Sequence, residues 1–265
     1  YDEALSVLEE ALVHRPHDGD LQLYGADFYA RLNREEKSKE LLERAKEKVH
    51  AGALLRNQAR LADYRGEVQV ALSLWKKVAQ IEPLNTDAHA RIAVLLRESE
   101  GLQAALKFLG EVAARHSYHL PTQRLYIEWL GSGEPVAAER AISELLKRHP
   151  CDSWAHRELA ITYCKRKAYD LALEAANTAK SLEPNNPYSH RILALVHEVR
   201  GEIPQAKAEY RQALAISIDN QDSIESLIRL CGTAEEKRNE LQLVRKELAR
   251  QTIFGEGLVT YRQQA

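Results

Sequence analysis

Leu159, Ala160 and Tyr163 stand at i, i+1 and i+4, and a few residues later Ala172, Ala176 and Ala179 stand at i, i+4 and i+7. Each set falls on one side of a 3.6-residue helix, with polar residues on the other sides. The second of these amphipathic stretches carries alanine where a core-facing helix usually carries leucine. Small side chains there let two helix backbones approach closely, and Tyr163 and Tyr169 are expected to fill the gaps around them. The pattern predicts two antiparallel helices in contact.

The arrangement recurs along the chain. The positions equivalent to Ala172 are Ala4, Ser38, Ala71, Ala105, Ala138 and Ala206, so that the full series has successive spacings of 34, 33, 34, 33, 34 and 34. A period of this size marks stacked supersecondary repeats, each of which buries its apolar face only against a neighbour. The breakers agree with it. Pro16, Pro83, Pro150 and Pro184 each follow a second helix, Gly66, Gly133 and Gly201 fall between first and second helices, and Asn33 takes the place of one such glycine. The expected fold is all-α, an α-solenoid or superhelix of stacked antiparallel helix pairs, about fifteen helices in all.

One array is expected to run over residues 1–265: half a repeat over 1–18, repeats over 19–51, 52–85, 86–118, 119–152, 153–186 and 187–220, a degenerate repeat over 221–251, and the start of a further helix or a tail over 252–265. The chain starts at Tyr1 within a helical pattern and ends just after the apolar stretch "GLVTYRQQA", so it reads as a fragment of a longer protein.

These residues resemble the tetratricopeptide repeat (TPR) family, whose pattern runs W-x2-L-G-x2-Y, then A-x3-F, then A and P. The sixth unit matches through Leu159, Ala160, Tyr163, Tyr169, Ala172, Ala176, Ala179 and Pro184. The seventh matches through Leu193, Ala194, Gly201, Ala206, Tyr210 and Ala213, with Ile218 in place of the proline, and the third through Ala59, Gly66, Ala71, Trp75 and Pro83. The fifth unit, "RLYIEWLGSGEPVAAERAISELLKRHP", also looks like the half-a-TPR repeats of RNA-processing scaffolds. The resemblance implies about seven TPR units and a protein-binding role. The carboxylate clamp of chaperone-binding members is not matched, because only Asn57 offers a comparable asparagine.

Charge and chemistry narrow the function. With 37 basic against 39 acidic residues the net charge is -2, so no global field draws the chain to nucleic acid or an anionic membrane. Cys151, Cys164 and Cys231 are odd in number and lack C-x-x-C spacing, which argues against a disulfide framework or a zinc site and favours a cytoplasmic over a periplasmic setting. "HEVRG" at His197 lacks the second histidine of a zinc-protease helix. "GSGEPV" at Gly131 follows a helix instead of a strand, and "HSYH" at His116 lacks a third ligand. No catalytic, metal or cofactor site is expected.

The exposed face of the first helices carries the candidate site. Arg56 and Arg60, Arg91, Arg124, Arg157 and Arg191 place arginine on five successive repeats. "WAHR" ends at Arg157 and "YSHR" at Arg191, with Trp154 and Tyr188 one turn earlier, where a ring and a guanidinium stack as a cation–π pair. Neither arginine has a carboxylate at i−4 or i+4, so each is expected to offer its fork to a carboxylate or phosphate. His89, His156 and His190 are expected to pack between helices. Two functions fit: a scaffold that binds a protein partner, as a peptide or helical segment with acidic or phosphorylated residues, in a concave groove, or a non-catalytic arm that positions substrate or partner for a larger enzyme.

Overall fold

The alanine-rich second helix does in space what its sequence requires. In the computed structural model, which describes residues 2–251 and 255–265, Ala172, Ala175, Ala176 and Ala179 of helix Tyr169–Leu182 are buried. The first three form a core with Ala160 of the preceding helix and with Ile192, Leu193 and Val196 of the following one. Sixteen helices and no strand occur among the described residues. They are α1 (Asp2–His14), α2 (Gly19–Arg31), α3 (Glu35–Ala45), α4 (Ala51–Tyr64), α5 (Val68–Ile81), α6 (Thr86–Glu100), α7 (Leu102–Arg115) and α8 (Leu120–Gly131). There follow α9 (Pro135–Arg148), α10 (Ser153–Lys165), α11 (Tyr169–Leu182), α12 (Pro187–Val199), α13 (Ile203–Ile216), α14 (Gln221–Arg229), α15 (Ala234–Arg250) and α16 (Glu256–Gln264).

The chain divides into two compact units, Tyr1–Tyr126 and Ile127–Ala265, with the division inside α8. In the first unit α2 packs on α3, α4 on α5 and α6 on α7, while α2 against α4 and α5 against α6 join consecutive pairs. In the second unit α10 pairs with α11 and α12 with α13, and α9 packs on α10, α11 on α12 and α13 on α14. The last core there gathers Tyr210, Leu214, Ile218, Ile224, Leu227 and Val244. Part of the expected tail, residues 252–254, lies outside the described residues; beyond it α16 packs on α14.

Six of the seven periodic small residues, Ser38, Ala71, Ala105, Ala138, Ala172 and Ala206, have no exposed surface. Ser38 keeps its polar atom satisfied there by donating to the Ala26 carbonyl at 2.8 Å. Ala4 departs from the series and is exposed. Among the described residues no first helix packs on that side of α1, so the contact that buries its equivalents is missing.

The turns between paired helices need a left-handed residue. Gly66 and Gly201 supply it at φ 70° and 77°, but Asn33 adopts φ 58° and Lys167 φ 60° in the corresponding turns. A side chain costs energy in this region, and lysine lacks the local hydrogen bonding that favours asparagine there. Lys167→Gly is therefore expected to stabilise the second unit by about 0.5–1 kcal/mol, checked by urea unfolding, with Gly201→Ala shifting stability by a similar amount in the opposite direction.

A second regularity ties each turn to the next helix. The residue six after a turn proline is Gln22, His89, His156 or His190. Gln22 Nε2 donates to the Pro16 carbonyl at 2.6 Å, and the Nε2 atoms of His156 and His190 lie 2.9 and 2.8 Å from the carbonyls of Pro150 and Pro184. These two histidines satisfy turn carbonyls as well as filling space. His89 is the apolar version, 3% exposed and edge-on to Phe108 at 6.1 Å between centroids. Burial first, then the charges of His116 and His119, hold it below the ordinary histidine value of 6.5. Below that value the unfolded chain takes up a proton that folded His89 resists, so stability falls with pH. Denaturant melts are expected to show this loss between neutral pH and about 5, and His89→Phe should flatten it.

Candidate functional site

The first-helix arginines do not form a row of open cations. Arg56 on α4 is paired with Glu82, just past the end of α5. Arg157 on α10 makes the equivalent contact one position past the end of α11, its Nη1 2.8 Å from Glu183 Oε2. In both cases an asparagine three residues on completes the network, Asn85 Nδ2 donating to Glu82 and Asn186 Nδ2 to Glu183, each at 2.6 Å. Asn85 and then Arg56 hold the Glu82 carboxyl below its ordinary range. Arg157 followed by Asn186 does the same to Glu183.

Arg157 also donates to the hydroxyls of Ser153 and Ser189 at 2.7 and 3.1 Å, and its side chain is only 11% exposed. The expectation of a free fork at Arg157 is not met: it staples α10 to the end of α11 and the start of α12. The carboxylates that neutralise these arginines come from other helices, 26 residues on in both cases. They lie beyond the i±4 neighbours within each arginine's own helix.

Arg191 on α12 keeps part of its predicted character. Its guanidinium carbon lies 5.8 Å from the centre of the Tyr188 ring, and Tyr188 is exposed. One nitrogen is nevertheless 2.8 Å from Asp222 of α14. Trp154 on α10 is half-buried, and Arg124 on α8 is partly buried in the first unit.

Arg56, Arg60 and Arg91 come together. With Asp63, Tyr64, Trp75, Asp87 and Ala90 they line a recess of about 570 Å³ on the α4 and α6 side of the first unit. Its fixed point is Asp63, whose Oδ2 accepts from Trp75 Nε1 at 2.8 Å and from Arg91 Nε at 3.0 Å. Trp75 projects from α5 into the base of the recess and is 3% exposed. Arg91 is thus held along the α6 wall, its Nη2 3.0 Å from Asp63 Oδ1.

Arg60 is the least neutralised of the three. Its Nε stands 4.0 Å from Asp27 Oδ1, and its side chain is 45% exposed. Asp27 is shared, since Arg31 approaches it at 2.8 Å and the Tyr64 hydroxyl at 3.3 Å. The recess therefore presents one available guanidinium, framed by cations that are already paired, while the Tyr64 ring carries the guanidinium of Arg31 5.6 Å from its centre. Sequence reasoning missed Asp63, Tyr64 and Asp87. Asp63 stands twelve residues before Trp75 and 28 before Arg91, a link visible only once the helix register between repeats is fixed.

Stacked helix pairs whose first helices carry a polar recess define a helical-repeat protein. Residues 130–190 match the tetratricopeptide repeat family. The chain is similar to "Superkiller complex protein 3" of Homo sapiens, 23% identical over 168 residues, a match covering 62% of this chain and 11% of that protein. The chain thus spans about a tenth of that curated relative's length. In fold it is similar to the C-terminal part of a TPR repeat-containing protein from Cytophaga hutchinsonii, with a TM-score of 0.53 at 14% identity over 86% of this chain and 94% of that one. A chain of the APC/C hetero-tetramer Cut9–Hcn1 gives 0.50 at 19% identity, over 86% of this chain and 46% of that one. Among the described residues no cluster of three or more potential metal ligands occurs, and no helix is long and apolar enough to cross a membrane.

Proposed function

We propose that the chain is a scaffold for protein–protein contact and that the recess between α4 and α6 takes a peptide segment bearing a carboxylate or phosphate next to an apolar residue. The observation that carries this reading is Arg60, an exposed guanidinium with a 4.0 Å contact as its nearest ion pair, at the mouth of a recess floored by Trp75. Exposed arginine beside tyrosine and tryptophan is the composition of an interface anchor, and the planar fork suits bidentate capture of a carboxylate or phosphate. Two similar proteins carry the names of multi-subunit assemblies, which agrees with a scaffold. The three free cysteines suit a reducing cytoplasm.

The test is an array of acidic and phosphorylated peptides probed with the full chain, followed by calorimetry on the strongest binder. Arg60→Glu is expected to weaken binding about tenfold or more, while unfolding stays within about 0.5 kcal/mol of the parent. If Arg60→Glu leaves affinity unchanged and Arg191→Ala removes it, the peptide site lies at the Tyr188–Arg191 pair of the second unit instead.

A further inference from the structure

A separate recess of about 540 Å³ opens in the first unit among α5, α6 and α7. Its wall is apolar, built from Pro83, Ile92, Phe108 and Val112. The size lies in the range of cavities that take a side chain or small molecule. At its edge stand Lys76 of α5 and Arg115 of α7, both exposed, and the lining contains no carboxylate. Neither cation has a hydrogen-bond or ion-pair partner among the described residues. In a chain whose other arginines are mostly paired, two unpaired cations bordering one apolar recess stand out.

One of the lining residues carries a buried polar atom without a partner. His89 lines the recess and is 3% exposed, and its Nδ1 makes no hydrogen bond. Its ring is fixed edge-on by Phe108. Leaving a buried ring nitrogen unpaired costs roughly 1–3 kcal/mol in general, so a ligand that supplies the missing hydrogen bond has an energetic advantage over one that does not. Burial keeps the imidazole neutral at pH 7, and a neutral ring offers one donor and one acceptor nitrogen to a hydroxyl, which can play either part.

We propose that this α5–α6–α7 recess is a second protein-docking surface, whose occupant is an acidic peptide segment that inserts a tyrosine. The ring fills the space beside Ile92, Phe108 and Val112, the phenol hydroxyl meets His89, and flanking carboxylates reach Lys76 and Arg115. Charge complementarity selects this occupant: two unpaired cations and no lining carboxylate favour an anionic segment, while the apolar wall and single orphan nitrogen favour one aromatic hydroxyl over a string of phosphates. The surface is distinct from the α4–α6 recess, with which it shares no lining residue.

The probe is a synthetic acetylated peptide with one tyrosine flanked on each side by two glutamates, titrated into the full chain while the His89 ring signals are followed by NMR. A saturable shift of the His89 signals is expected, with affinity reduced about tenfold when tyrosine is replaced by alanine in the peptide. Lys76→Glu combined with Arg115→Glu should also reduce it about tenfold, and Lys76→Arg with Arg115→Lys should restore it. Both positions are exposed, so folding is preserved, and an independent titration of the parent at low and high salt should show the same electrostatic dependence. Arg60→Glu should leave this titration unchanged. Unmoved His89 signals at saturation, equal binding of the alanine peptide, or equal binding of a single-stranded oligonucleotide would overturn the proposal. So would loss of binding through Arg60→Glu alone, which would place the peptide in the other recess.

Discussion

Trp75→Ala is expected to destabilise the first unit by about 3–5 kcal/mol, the largest effect of any substitution considered for this chain. Trp75 is 3% exposed, and its replacement leaves both a large cavity beneath α4 and α6 and a nearly buried Asp63 without its indole donor. Trp75→Phe separates the two losses. It keeps most of the ring volume but withdraws the 2.8 Å hydrogen bond to Asp63, and should cost about 1–3 kcal/mol through that group alone. Urea unfolding of the two variants measures the split. A Trp75→Phe protein as stable as the parent would show that Asp63 repairs its bonding with Arg91 and that the hydrogen bond matters little.

Ala172→Leu should overpack the α10–α11 contact and cost about 1–3 kcal/mol, because the residue has no exposed surface and is packed among Ala160, Ala176 and Leu193. Ala4→Leu is its control. Ala4 holds the same place in the 34-residue period but is exposed, so the same added volume should change stability by no more than about 0.5 kcal/mol. Thermal melts of both variants decide whether the alanine period marks contact between helices. Equal destabilisation by the two would mean that leucine acts through the helix itself.

The architecture was legible because the repeat multiplies a weak local signal. Any single alanine in a helix is ambiguous, yet Ala71, Ala105, Ala138, Ala172 and Ala206 at matched spacing leave one packing scheme. The sixteen helices among the described residues fall close to the expected number for the same reason. Lys167 departs from the turn pattern, since a left-handed position that favours glycine or asparagine is filled there by lysine at φ 60°. The site was legible only in part. The sequence places Arg56, Arg60 and Arg91 on one side of the first helices, and the structure brings those three to a common recess. It gave no sign that Arg157 would be enclosed by Ser153, Glu183 and Ser189, because those partners depend on how α11 ends and α12 begins. Charge neutralisation in a repeat array runs across helices, and linear spacing within one helix is blind to it.

The arginine ion pairs that join different helices sort into two kinds with different mechanical meaning. Arg56–Glu82 and Arg157–Glu183 close a helix pair upon itself. Arg91–Asp63 in the first unit, and Arg191–Asp222, Arg200–Asp170 and Arg229–Glu198 in the second, tie one helix pair to the next. Asp222 and Asp170 are largely exposed, so the ties they make are screened by salt, whereas the apolar contacts inside each pair are not. As a material, the second unit is then a stack of hairpins joined twice over, by apolar cores that run from one pair into the next, as Ala172 and Ala176 do to Ile192 and Leu193, and by charged ties at the surface. Raising the ionic strength loosens the surface ties and leaves those apolar joints unchanged, so salt trims the stiffness of the stack without taking it apart.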